Sequence, residues 1–149
     1  MTGALHLATA EDFAKLEALV AAFHAEHQII SDATHRQTAL QPLLEGSPYG
    51  VAYLIGPRRA PVGYVIVSFT WSIAFAGLSA TIEEVFIRPN VRGRGMASNA
   101  LIGLCQTLEN NGVVALHVEG SPNPSTSSKL FARLGFRAAE HGTRLTRLR

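Results

Sequence analysis

The residues best able to do chemistry lie in Ile82-Glu83-Glu84-Val85-Phe86-Ile87-Arg88-Pro89-Asn90-Val91-Arg92-Gly93-Arg94-Gly95-Met96-Ala97-Ser98. This segment reads as a strand, a turn and the start of a helix. Gly93 and Gly95 let backbone N–H groups approach an anion without a Cβ in the way, and a helix N-terminus adds partial positive charge. One helix end contributes only about 0.3–2 kcal/mol, so a tightly held phosphate needs several converging donors. The turn supplies them, and Arg92 and Arg94 add formal charge beside it. The chemistry indicated is anion binding at the end of a strand.

Two familiar phosphate motifs do not fit. A P-loop would need Gly-Lys-Ser/Thr at the close of the turn. A dinucleotide fold would find a carboxylate in Glu119, but Ser98 stands where its third glycine belongs. Five residues also separate Ile87 from Gly93, whereas dinucleotide glycines follow their strand directly. His24 and His27 lie one helical turn apart without a third ligand spaced to them, so no metal site is expected. Cys105 sits on the apolar side of a helical pattern and reads as a core residue rather than a nucleophile.

The elements that must position this segment follow from periodicity. A strand is expected at Leu5–Ala8. Thr9 and Asp12 form a helix-opening capping pair, and Phe13, Leu16, Val20, Phe23, His27 and Ile30 then recur at helical steps. A second helix spans Thr34–Leu44. Strands follow at Val51–Ile55, Val62–Phe69 and Ala80–Ile87. Ala97, Leu101, Leu104 and Leu108 mark a third helix, closed by Asn110, Asn111 and Gly112. Val113–Val118 reads as a central strand covered on both faces. A last helix at Ser125–Leu134 and a closing strand at Thr143–Leu148 complete the chain. The class is α/β (α+β): one domain over residues 1–149, with a mixed, mostly antiparallel sheet of six to seven strands and about four helices.

Composition narrows the functions. The chain has 149 residues, 47% of them apolar and 16% charged, which suits a packed core and not a disordered coat. Its net charge of +2 does not call for a nucleic acid, although eleven of its thirteen basic residues are Arg, the side chain that grips anions best. Ala60–Ile82 carries no charge and is long enough to span a bilayer. Its Pro61, Gly63, Gly77, hydroxyl side chains and Val-Ile-Val run favour two strands instead, so no membrane partner is expected. Trp71 and Phe75 in that stretch could line a substrate mouth, meet a second copy, or pack in the core. With a lone cysteine and no secretory signal, a reducing cytoplasm is the expected compartment.

Arg92-x-x-Gly95-x-Ala97 after an apolar strand resembles the acyl-CoA signature of the GNAT superfamily of N-acetyltransferases, Arg/Gln-x-x-Gly-x-Gly/Ala. Leu130-Phe131-Ala132-Arg133-Leu134-Gly135-Phe136 is similar to that family's later helix, usually ending Phe-Tyr-x-x-x-Gly-Phe. The Glu83–Ile87 strand looks most like the diamine and polyamine acetyltransferase branch. The resemblance implies acetyl-CoA as co-substrate and an amine of a small molecule or peptide as acceptor. Homodimers are common among similar proteins. It places the pyrophosphate on Gly93, Arg94, Gly95, Met96, Ala97 and Ser98, and the pantetheine arm along Val85, Phe86 and Ile87. That arm would lie between splayed strands Ala80–Ile87 and Val113–Val118, with a bulge N–H near Val85 polarising the thioester.

Direct transfer also needs a base. On a regular strand Glu83 and Glu84 point to opposite faces, Glu83 with Val85. Glu83 is the first candidate and Glu84 the reserve; Glu119 could grip a cationic acceptor. Two departures stand out. Phe131 replaces the tyrosine that protonates the leaving thiolate, and Asn123 precedes it by eight residues where seven is usual. Ser127 and Ser128 bring hydroxyls nearby. The rival reading is an acyl-CoA-binding module of the same fold that has lost catalysis.

Overall fold

The uncharged stretch folds as a hairpin. In the computed structural model, which describes residues 4–119, 126–139 and 145–148, the strands Gly63–Ser72 (β3) and Gly77–Ile87 (β4) pair antiparallel. Before them come Leu5–Leu7 (β1), the helices Phe13–Glu26 (α1) and Ala33–Leu44 (α2), and Gly50–Ile55 (β2). After them come Met96–Asn110 (α3), Val113–Val118 (β5) and Thr126–Arg133 (α4). The described sheet has five strands in chain order β1-β2-β3-β4-β5, antiparallel except for the parallel β4–β5 pair. The expected six to seven strands are therefore not met among the described residues: residues 145–148, the described part of the expected closing strand, form none. No helix among the described residues is long and apolar enough to cross a membrane.

Backbone contacts divide the chain into two compact units, residues 1–118 and 119–149. In the first, β3 is buried from Gly63 through Val67, as a strand covered on both faces should be. One face, made by Ala52, Leu54, Tyr64, Ile66 and Phe86, packs against Leu16, Leu19, Val20, Leu40 and Leu44 of α1 and α2. Val65 and Val67 face the other way, where α3 lies along β1, β4 and β5 and buries Ala100, Leu101 and Leu104. Gly63 is required at its place: a Cβ there would sit 2.1 Å from the Phe86 carbonyl oxygen. The capping pair forms as expected, with the Thr9 N–H donating to Asp12 Oδ2 at 2.9 Å.

In the hairpin and its neighbour one expectation fails and one of three open alternatives is removed. Val113–Val118 is not a central strand; it is the last strand of the described sheet, and Val114 is 56% exposed. Its apolar run reflects one covered face and an apolar outer edge. Trp71 and Phe75 do not pack in the core, because the hairpin runs on to its tip at residues 73–76 and leaves them 66% and 56% exposed.

Candidate active site

A fault in the β3–β4 ladder builds the site. Ile66 pairs with Glu84 and Val67 with Ile82, so Glu83 is an extra residue on β4, a β-bulge. The bulge breaks the alternation that would send the two carboxylates to opposite faces. Glu84 shares the Tyr64–Ile66 face through its register, and Glu83 accepts from Ser68 Oγ at 2.8 Å on that same face. Glu83 therefore does not share a face with Val85, as a regular strand would require. Both carboxylates reach the side covered by α1 and α2.

Their surroundings differ. Glu83 is exposed, with Ser68 as its hydrogen-bond donor. Glu84 is half-buried and pinned at both oxygens: Tyr64 Oη donates to Oε1 at 2.7 Å, and His24 Nε2 meets Oε2 at 2.8 Å. The other His24 ring nitrogen, Nδ1, lies 2.6 Å from Ser31 Oγ. Arg36 Nη1 donates to the Ser31 carbonyl at 2.6 Å and to its hydroxyl at 3.2 Å. Arg36 Nε in turn donates to Glu17 at 2.6 Å. Burial above all, and then the Glu84 charge and hydrogen bond, push the Tyr64 hydroxyl far above the usual phenol range. It therefore stays a donor at every ordinary pH.

None of His24, Tyr64, Ser31, Arg36 or Glu17 stands out as a site residue in the sequence. Two signals were there to read. His24 continues the Leu16–Val20 stripe, a polar ring on a buried face, and Tyr64 puts a hydroxyl into an apolar strand. Buried polar groups of this kind must find partners. The His24–His27 pair divides: His27 stacks on Phe23, with ring centroids 4.2 Å apart. Among the described residues no group of three His, Cys, Asp or Glu could hold a metal.

Among the described residues the edge of β4 beside Glu84 is open. Its pairing with β5 runs from Leu78–Val113 to Ile82–Val118 and stops, so Glu83–Ile87 has no strand on that side among the described residues. Arg88 N–H donates to Val62 and Phe69 N–H to Tyr49, which fixes the hydrogen-bond phase of the ladder. Glu84 and Phe86 thus turn their backbone groups to β3, and Val85 and Ile87 turn theirs to the open edge. The Ile87 carbonyl already accepts from Arg92 Nε at 2.7 Å.

Beyond the strand, Gly93 and Gly95 adopt left-handed φ of +78° and +76°, with no neighbouring atom of the described residues within 4 Å of where a Cβ would stand. The first helical bond of α3 is Asn99 N–H to Gly95 at 3.0 Å, and Gly93 through Ser98 make no backbone donation among the described residues. A row of free N–H groups faces an open space, which suits a diphosphate. Arg92 is not part of that row. Its guanidinium grips Glu26 of α1 at 2.9 and 2.8 Å and lies 5.5 Å from the Phe86 ring centroid. The Arg92 hydrogen bond is also the main cause holding the Glu26 carboxyl below its usual range. Arg94 makes no ion pair among the described residues and is the charge left for an anion.

This arrangement has relatives. A model of the acetyltransferase (GNAT) family matches residues 8–136. The chain belongs to the GNAT acetyltransferase family. No curated protein sequence matches it. Among solved structures, the integron cassette protein HFX_CASS3 from the mobile metagenome of Cole Harbour Salt Marsh is 26% identical, with a TM-score of 0.85 over 97% of this chain and 90% of that one. The ribosomal-protein-alanine N-acetyltransferase from Brucella melitensis is 17% identical, with a TM-score of 0.77 over 97% and 98%. AAC(6')-Iy, in complex with the bisubstrate analog CoA-S-monomethyl-acetylneamine, is 15% identical, with a TM-score of 0.80 over 97% of each. The last two likenesses speak to the fold. As a GNAT acetyltransferase, this protein pairs the open β4 edge with the free N–H row in one chain segment, Glu83–Ser98.

The remaining site candidates lie after β5, in the second unit, and Cys105 lies on α3 in the first. Asn123 lies outside the described residues, as do the side chains of Ser127 and Ser128. Glu119 follows β5 directly. Phe131 is half-buried, edge-on to Phe136 with centroids 5.3 Å apart. Cys105 on α3 is partly buried, and burial pushes its thiol up, away from nucleophilic use.

Proposed function

We propose that this protein transfers the acetyl group of acetyl-CoA directly to a primary amine of a small molecule or peptide. The observation that carries the reading is Glu84, a carboxylate pinned at both oxygens beside an unpaired strand edge that ends in a free N–H row. In this reading the N–H groups of Gly93–Ser98, with Arg94, hold the pyrophosphate. The Val85 C=O and the Ile87 N–H take up the pantetheine amides, which leaves the Val85 N–H for the thioester. A backbone N–H at Val85 then meets the thioester oxygen as negative charge develops on it, typically the largest electrostatic term in acyl transfer.

Glu84 accepts a proton from the acceptor ammonium, and the freed amine nitrogen bonds to the thioester carbon. The C–S bond breaks, and the second proton of the nitrogen passes through water or a nearby hydroxyl to the departing CoA thiolate, leaving the amide and free CoA thiol. Phe131 cannot donate. A thiol with a solution value near 8.5 is still a tolerable leaving group, so transfer is slowed and not forbidden. Glu83, exposed on the same face, is placed to meet a second cationic centre of the acceptor. The solved aminoglycoside acetyltransferases of this fold and the likeness of Glu83–Ile87 to the polyamine branch both favour acceptors with several amines.

Phe131 is also the observation that favours a non-catalytic acyl-CoA-binding protein. Free-thiol release from acetyl-CoA, screened over polyamines, aminoglycosides, amino acids and peptide N-termini, separates the two. Acetyl transfer to one class supports the enzyme. Micromolar acetyl-CoA binding with no release on any amine would hand the case to the binding module.

A further inference from the structure

His24 is a buried titratable side chain with both ring nitrogens engaged, and the transfer chemistry above does not use it. It comes from α1, sixty residues before Glu84, and its side chain is 10% exposed. Four elements converge on this one contact: α1 with Glu17 and His24, the α1–α2 connection with Ser31, α2 with Arg36, and β3 with Tyr64. One assignment of donors and acceptors satisfies every contact along the chain. Arg36 can only donate, so Ser31 Oγ accepts from it, and in this assignment the hydroxyl hydrogen goes to His24 Nδ1. Nδ1 then accepts, the ring proton stands on Nε2, and Nε2–H donates to Glu84.

We propose that His24 is the positioning residue of Glu84, with its tautomer set by Ser31 and Arg36. The inference rests on the reading of Glu84 as the base. A carboxylate at a bulge, on a strand edge without a neighbour among the described residues, has several rotamers open to it. Tyr64 fixes Oε1 and His24 fixes Oε2, which leaves the remaining lone pairs in one orientation toward the acceptor side. Glu17 anchors the far end by holding Arg36 over Ser31. The groups facing the ring are Glu84 from β4, Ser31 and Arg36 from the α2 side, and Phe23 on its own helix, whose ring centroid is 6.0 Å away. Among the described residues no negative group other than Glu84 touches the ring.

The test uses the full chain in two measurements. In the first, ring-nitrogen NMR should report His24 with its proton on Nε2, and Ser31→Ala should convert it to a mixture of tautomers without turnover being needed. In the second, His24→Leu should lower kcat roughly tenfold to a hundredfold, as loss of an orienting partner typically does, with the acetyl-CoA KM unchanged. His24→Gln, which keeps an N–H donor near the Nε2 position, should recover most of that loss, and His24→Leu should add nothing further to Glu84→Gln. A proton on Nδ1, equal damage from the Gln and Leu variants, or additive losses with Glu84→Gln would each overturn the proposal. If Glu84→Gln itself turns over like the wild type, the reading of Glu84 as base falls. The tautomer and its response to Ser31→Ala would then still decide whether His24 fixes that carboxylate.

Discussion

Around Glu84 every buried side-chain polar atom among the described residues has a partner, whereas from Gly93 to Ser98 the backbone donors have none. The first region is assembled by the fold: its groups come from α1, α2, β3 and β4 and meet only when the sheet is covered. The second is a local conformation, two left-handed glycines and the first turn of a helix, complete within six residues. A base must be held still before substrate arrives, so its side chains are satisfied by protein. An anion site must keep its donors for the ligand. The difference predicts that damage to the two regions will separate cleanly, one in turnover and one in acetyl-CoA affinity.

The sharpest way to break that separation is Glu84→Gln. It should cost about 10² to 10⁴ in kcat/KM near neutral pH while acetyl-CoA affinity holds. Glu83→Gln, in the exposed neighbour, should instead raise the KM of multiply charged acceptors. Steady-state thiol release with paired calorimetry reads both. If the two variants exchange profiles, Glu83 is the base and the pinned carboxylate is a structural one.

Next in size is Gly95→Val, which should weaken acetyl-CoA binding by tenfold or more, about 1.4 kcal/mol at the least. The left-handed backbone strains any L side chain by about 1–2 kcal/mol, so a strain control is needed. Gly112, at φ +90° with equally empty surroundings, provides it. Gly112→Val should lower the melting temperature in the same way and leave acetyl-CoA binding unchanged. Loss of binding in both variants would mean that strain, and not occupation of the turn, explains the effect.

These two regions also differ in how far the sequence showed them. The turn was legible because its chemistry is local: glycine spacing, a strand before and a helix after suffice. The pocket was not, since His24 and Glu84 stand sixty residues apart and nothing in either neighbourhood names the other. The bulge misled the reading further. Strict alternation put Glu83 and Glu84 on opposite faces, and one extra residue on β4 put them on the same face. Arg92 shows another contact that spacing hides. Its motif position suggested an anion ligand, but Glu26 and the Ile87 carbonyl, invisible at the level of spacing, claim it. The five described strands and the helices were legible from period alone, apart from the edge position of β5, which depends on what pairs beyond it.

Tyr64→Phe is a smaller test, aimed at whether the pocket is as fully satisfied as it looks. Removing the hydroxyl leaves Glu84 Oε1 short of a buried donor, which should destabilise the fold by about 1–3 kcal/mol at pH 7 and lower kcat through a looser carboxylate. The pH dependence follows from the raised phenol. Above its ordinary value of 10.0 the unfolded chain ionises this group and the folded chain does not. Stability from it is therefore full below pH 10 and falls as pH rises beyond that. Denaturant midpoints between pH 8 and 11 should fall less steeply in Tyr64→Phe than in the wild type. Identical slopes would place the ionising tyrosine elsewhere.

The smallest effect is expected at Glu26, which ties α1, carrier of His24, to Arg92 at the start of the anion turn. Its pair with Arg92 has the two side chains 38% and 42% exposed, so solvent screens it heavily and a few tenths of a kcal/mol is the expected scale. Arg92 keeps its bond to Ile87 and its place over Phe86 without Glu26, so the turn should hold its shape in Glu26→Gln. The carboxyl lies below its usual 4.5 in the folded chain, mainly through the Arg92 hydrogen bond. Its stabilising share is thus present above pH 4.5 and is lost as pH falls through the lowered value. Melting temperatures between pH 3 and 7 should show a slightly steeper acid decline in the wild type than in Glu26→Gln, with the gap closing in high salt. Acetyl-CoA affinity and kcat should both stay within about twofold, a free-energy change under the 1.4 kcal/mol of a tenfold effect. If either moves by tenfold, Arg92 couples the two regions through α1, and the separation between a satisfied pocket and an open turn does not hold.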